Sequence, residues 1–401
     1  MKLQLATLAA AGFLAAACAA PSAPPAAASP TASAASTGMA RPAAVGGLDA
    51  ARAQVARVPG DWPAWSALGS LELERARVSG DPAAYDAAQR AFETSLKLQP
   101  TDNSAALAGV AAVSAARHDF ATAERQARRA LAVDAASPEA LAALTDALTE
   151  LGRYDEALAT ARRLDAVRPG VASFTRLSYQ AELRGDSAGA LTLMRRAAAD
   201  AGTPSQVAFA RTYEGTVALD AGDVATADAA YRAGVAVAPD DTGLLHLGAR
   251  VAQAQGRTGV AIDRYAALVE RRPTVAFVSE QAALLRSAGR AADASAALEL
   301  ARAAQSLARS AGVAPEAADV LFEADHGDRT RAVALGAELW HRAPSVGAAD
   351  AYAWALHVAG RDREALPLAR RALALGGRPA GFVAHATAIA AATGTRPDRV
   401  P

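Results

Sequence analysis

One stretch limits what this chain can fold into more than any other: "PEALAALTDALTELGRYDEALATARRLDAVRP", residues 138–169. Leu141, Leu144 and Leu148 recur at helical spacing, and so do Ala157, Ala161 and Leu164. Between the two sets, Gly152 is suited to ending one helix and Asp155 to starting the next. Pro169 closes the unit, since proline cannot continue a helix. The same junction returns along the chain as "GDSAGA", "GDVATA", "GRTGVA", "GDRTRA" and "GRDREA". A single helix–turn–helix unit cannot bury its apolar face alone, so a chain that repeats one must stack its units into an extended array.

The spacing resembles the tetratricopeptide repeat, a helix–turn–helix unit of about 34 residues with large and small residues at fixed places. Trp65, Leu68, Gly69, Ala88, Phe92 and Pro100 fit a first unit; Leu107, Val110, Ala123, Ala127 and Ala130 fit a second. Phe174, Leu177, Ala190, Met194 and Ala197 carry the register onward, as do Leu245, Ala249, Ala261, Tyr265, Leu268 and Pro273. The resemblance implies an all-α fold, an α-solenoid of about nine such repeats starting near residues 62, 104, 138, 171, 208, 242, 275, 313 and 346. Residues 47–61 read as an N-terminal capping helix, residues 380–394 as a C-terminal one, and residues 395–401 as a short tail. Caps that differ from the inner units are expected, because one side of each faces water.

Composition agrees. The chain is 52% hydrophobic but only 5% aromatic, so the apolar share is mostly alanine, the best helix former. Strand-like alternation is missing over any useful length. Basic and acidic residues balance at 41 each, which gives no electrostatic reason to expect nucleic acid as a partner. Lys2 and Lys97 are the only lysines, and this arginine bias beside abundant Ala, Gly and Pro is what a high-G+C bacterial genome writes.

The N-terminus reads as an address. In "MKLQLATLAAAGFLAAAC" one positive charge precedes an apolar run, too short and alanine-rich for a secure membrane span, that fits a secretory signal over residues 1–17. The run ends on Cys18, the sole cysteine, and resembles the bacterial lipoprotein signal, in which the cysteine becomes the lipidated mature N-terminus. Ala15 stands where that signal most often has leucine. Cleavage by ordinary signal peptidase, giving a secreted or periplasmic protein, and an uncleaved anchor are the alternatives. Residues 18–46, rich in Ala, Pro and Ser, read as a disordered tether with a span on the order of 30 Å. The expected location is the cell envelope, with the membrane reached through an N-terminal lipid.

No catalytic signature stands out: neither a phosphate-cradling glycine loop nor a nucleophile elbow is present. The six histidines lie apart in sequence, so the chain is read as a non-enzyme with no metal site and no cofactor. In the family it resembles, partners lie on the concave wall built from first helices. The register places there Glu139 and Asp146, then Thr175, Tyr179 and Glu182, then Thr212 and Thr216. Further along it places His246, Arg250, Arg286, Trp354 and His357. The basic clamp with which chaperone-binding members hold a terminal carboxylate is not assembled. The expected function is a scaffold that binds a protein or peptide in its groove; the alternative is a module for a small molecule or envelope glycan. Tyr179 and Trp354 are the expected anchors, as aromatic side chains dominate interface energetics.

Overall fold

A computed structural model describes residues 47–395, apart from residues 80, 311 and 312. The described residues form twenty α-helices and no strand. Helix α1 (Gly47–Arg57) stands alone at one end and α20 at the other, and those between come in pairs joined by short turns. These begin with α2 (Trp62–Ser79) and α3 (Pro82–Leu98), α4 (Ser104–Ala116) and α5 (Phe120–Val133), and α6 (Pro138–Glu150) and α7 (Tyr154–Val167). Then come α8 (Val171–Leu183) and α9 (Ser187–Asp200), α10 (Pro204–Asp220) and α11 (Val224–Val235), and α12 (Thr242–Ala254) and α13 (Thr258–Arg271). The last pairs are α14 (Val275–Ser287) and α15 (Ala291–Ser310), α16 (Ala317–His326) and α17 (Arg329–Arg342), and α18 (Val346–Val358) and α19 (Asp362–Leu373), before α20 (Ala380–Ala392). Each first helix packs on its own second helix, and along most of the array on the next first helix. The result is a tetratricopeptide-like α-solenoid. The signal, the tether and Cys18 lie outside the described residues, as does most of the tail.

Short polar side chains start these helices by accepting from amides that have no partner inside the helix. Asn103 accepts from Ala106, Asp119 from Thr122, Ser137 from Ala140, Asp186 from Gly189 and Asp241 from Leu244. Two starts differ from the sequence expectation. The helix expected near 208 begins at Pro204, since Thr203 accepts from Gln206 and proline suits the first helical position. The one expected near 313 begins at Ala317, because Pro315 disfavours helix before it and Asp319 accepts from the Glu316 amide at 2.9 Å. Asp155 does not start α7: Arg153 holds the cap position, and Asp155 sits in the first turn, where its charge favours the helix N-terminus.

The array does not stay open. One apolar cluster joins Ala115, Phe120, Ala123 and Ala147 of its early part to Val320, Leu321, Leu335, Leu339 and Ala351 of its late part. Across this seam the Val346 amide donates to the Tyr154 hydroxyl at 2.6 Å, and the Gly377 amide to the Leu183 carbonyl at 2.9 Å. His118 faces Glu316 at 3.0 Å. Helix α6 is consequently buried on every side from Ala140 to Glu150.

Turn geometry allows the approach. Gly152 and Gly185 both adopt the left-handed conformation, φ 70° and 80°, that ends a helix. A Cβ on Gly152 would lie 2.6 Å from the Pro344 carbonyl oxygen, and one on Gly185 would lie 2.9 Å from that of Gly376. The turn glycines Gly222 and Gly256 have the same conformation and open space around them. In the α4–α5 turn the left-handed place is taken by His118, φ 60°, whose ring reaches across to Glu316.

Candidate functional site

The inner wall is a polar ladder in which several first helices are tied to the next. Arg176 of α8 donates to Asp146 of α6 at 2.5 Å, to the Ala142 carbonyl at 3.2 Å and to the Ala172 carbonyl at 2.9 Å. Gln180 donates to Thr149 at 2.9 Å, and Arg184 donates to Gln180 at 2.9 Å. Further along, Arg250 of α12 donates to Asp220 of α10 at 3.1 Å, and His246 of α12 meets Glu280 of α14 at 2.7 Å. The Tyr265 hydroxyl donates to the same Glu280 at 2.6 Å. At the far end His385 of α20 meets Asp350 of α18 at 3.0 Å.

Several residues expected to line an open wall are thus built into it. Asp146 is 4% exposed, Thr175 6% and Arg250 4%. The Thr175 hydroxyl donates to the Val171 carbonyl at 2.8 Å, within its own helix. Trp354 is half-buried: its indole donates to Asp325 at 2.7 Å and stacks on His385 with centroids 4.3 Å apart. His357 is held by Asp362 at 2.5 Å. Glu139 is exposed and paired with Arg168, and Arg286 is exposed. Thr212 and Thr216 are half-buried, the Thr212 hydroxyl being enclosed without a hydrogen-bond partner.

Tyr179 and Glu182 come together with Glu150 at the seam. With Leu183 they form one side of a narrow cleft with a volume of about 30 Å³. Ser345, Val346, Gly347, Ala372, Gly377, Pro379 and Phe382 form the other side. Burial pushes the Glu150 carboxyl up to about 7, against the nearby charge of His118, with Asp146 adding to the rise. Burial also pushes Glu182 up to about 7, helped by Asp220 and opposed by Arg250. Burial raises Asp146 to about 6 in spite of Arg176. Burial would raise Glu280 too, yet His246 beside it brings the carboxyl below its ordinary value. The cleft wall is therefore acidic and aromatic, with carboxyls that charge only reluctantly.

The wall also encloses polar atoms with no partner: Asp146 Oδ1, the Tyr213 hydroxyl and Arg250 Nε join Thr212. Buried groups of this kind call for water or a bound polar group. His118, His246, His357 and His385 are each paired with a carboxylate, and no hydrogen bond among the described residues brings a serine or threonine hydroxyl to them. No group of three His, Cys, Asp or Glu able to hold a metal occurs among the described residues. Arg176, Gln180, Glu280 and His385 were missed in the sequence. A partner one repeat further along the register was the signal that could have found them.

No family model matches the chain, and no curated protein matches it. Solved structures do. The chain is similar to the Cut9–Hcn1 hetero-tetramer of APC/C, with a TM-score of 0.51 and 11% identity over 85% of this chain and 58% of that one. It is also similar to TTC0263, a thermophilic TPR protein of Thermus thermophilus, with a TM-score of 0.41 and 23% identity over 48% of this chain and 98% of that one. A human IFIT1 dimer with PPP-AAAA aligns at a TM-score of 0.48 and 14% identity, over 82% of this chain and 86% of that one. These likenesses are of fold alone. The last stands against one expectation, that nucleic acid is not a partner: that neighbour is described with PPP-AAAA, and the exclusion is withdrawn.

Proposed function

We propose that the chain is a protein-interaction scaffold that receives a segment of a protein partner at the acidic and aromatic mouth of its inner wall. The observation that carries this reading is the meeting of Tyr179, Glu150 and Glu182 in one cleft. Pockets that bind combine apolar walls with a few converging polar groups. A photo-crosslinking residue at Tyr179 is expected to trap one discrete partner, and the same residue at exposed Arg129 on the outer face of α5 is expected not to. Equal trapping at both places, or none at Tyr179, would contradict the reading.

The proposal extends to location: export under the signal of residues 1–17 and anchoring through lipid on Cys18. Mass spectrometry of the mature N-terminus tests this, the expected species being a lipid-modified Cys18. Cys18→Ser should release the protein from the membrane fraction while helical circular dichroism is unchanged. A mature chain starting beyond Cys18 would mean free secretion instead.

A further inference from the structure

We infer that the C-terminal helices act as an autoinhibitory strap, closing over the inner wall in cis and controlling entry to it. The strap consists of the start of α18 and the turn that precedes α20. Their backbone amides, Val346 and Gly377, donate to Tyr154 and Leu183 at the mouth of the cleft, as an incoming peptide backbone would. Ser345, Gly347 and Pro379 cover Glu150, Tyr179 and Glu182 from the same side.

Three features make this contact a closure able to open and not a fixed part of the core. Its hydrogen bonds lie at turns and helix ends, Val346 to Tyr154 and Gly377 to Leu183, beside a side-chain cluster between helices of the two arms. Its apolar strip on the early arm has one large buried side chain, Phe120, among Ala115, Ala123 and Ala147, which bury little area each. And closing it buries the Glu150 carboxyl, 8% exposed, beside Asp146 and with only His118 and Ser345 to offset the burial, which opposes closure. A contact so balanced is what a bistable element requires.

The two kinds of turn glycine supply a matched test. Alanine at Gly152 and Gly185 meets a strap carbonyl, whereas alanine at Gly222 and Gly256 carries the same backbone strain and meets nothing. In a Cys18→Ser background, Glu182→Cys places one thiol in the cleft. Its maleimide labelling rate should rise about tenfold in the Gly152→Ala/Gly185→Ala protein, the size of effect expected for losing about one buried hydrogen bond. The rate should stay at the parent value in Gly222→Ala/Gly256→Ala. Unchanged labelling in the first pair with helical content intact, or equal acceleration in both pairs, overturns the strap. Should the first pair lose helical content, Tyr154→Phe, which removes only the hydroxyl that accepts from Val346, is read by the same rule. The inference rests on the inner wall being the binding surface. Labelling uses no partner, so its failure is distinct from a failure of crosslinking at Tyr179.

Discussion

Arg176 is among the most buried side chains in the chain, and what it holds is Asp146. Arg176→Met strands a buried carboxylate and should lower the unfolding free energy by roughly 3–5 kcal/mol, read from urea denaturation. Combining it with Asp146→Leu should recover most of that loss, because two apolar groups replace the pair; a double variant as unstable as the single one would mean the ion pair is not what was lost. Asp146 was legible as a residue of the inner wall, since its place follows from the repeat register. That it is sealed there was not legible, because the seal depends on Arg176 one repeat further along and on residues some 200 positions away, such as Leu339 and Ala351. Tyr179 shows the same division: its helix face could be read, but not the strap residues opposite it.

Helix boundaries were legible where the repeat register and a proline agreed, as at Pro138, and were misplaced where the two disagreed, as at Pro204 and Pro315. Ser137 caps the first of these, with its hydroxyl accepting from the Ala140 amide at 3.3 Å. Ser137→Ala should cost about 1 kcal/mol of stability by the same denaturation, while Ser187→Ala, one position inside α9, should cost little. Equal losses would remove the capping account. Pro315 was visible in the sequence, and the misplaced start near 313 came from letting the repeat register outweigh it.

Closure belongs to the whole molecule. A solenoid's pitch accumulates from small rotations between units, so no local pattern announces that the α6–α7 turn will meet the start of α18. Two seam groups titrate in the same sense. Burial raises Glu150 from its ordinary 4.5 to about 7, so the closed form favours its protonated state. That contribution is fully present below the ordinary value and is lost as pH rises through about 7. His118 is raised as well: burial lowers it, but the hydrogen bond and charge of Glu316 prevail, with Glu150 adding to the rise and Arg342 opposing it. Its pairing likewise weakens as pH rises. Small-angle scattering should therefore show a larger radius of gyration above pH 7 than below it, and Glu150→Gln should flatten that response. An opposite trend would mean that other charges govern the seam.

Amide hydrogen exchange at Val346 tests the closed array most directly. Val346 is the first residue of α18, where an amide has no acceptor inside its own helix, so its protection reports the Tyr154 hydroxyl alone. The account predicts clear protection of Val346 and of Gly377, beyond that of Thr242, the first residue of α12. Exchange at Val346 and Gly377 as fast as at Thr242 would contradict it, leaving an open solenoid whose inner wall is free.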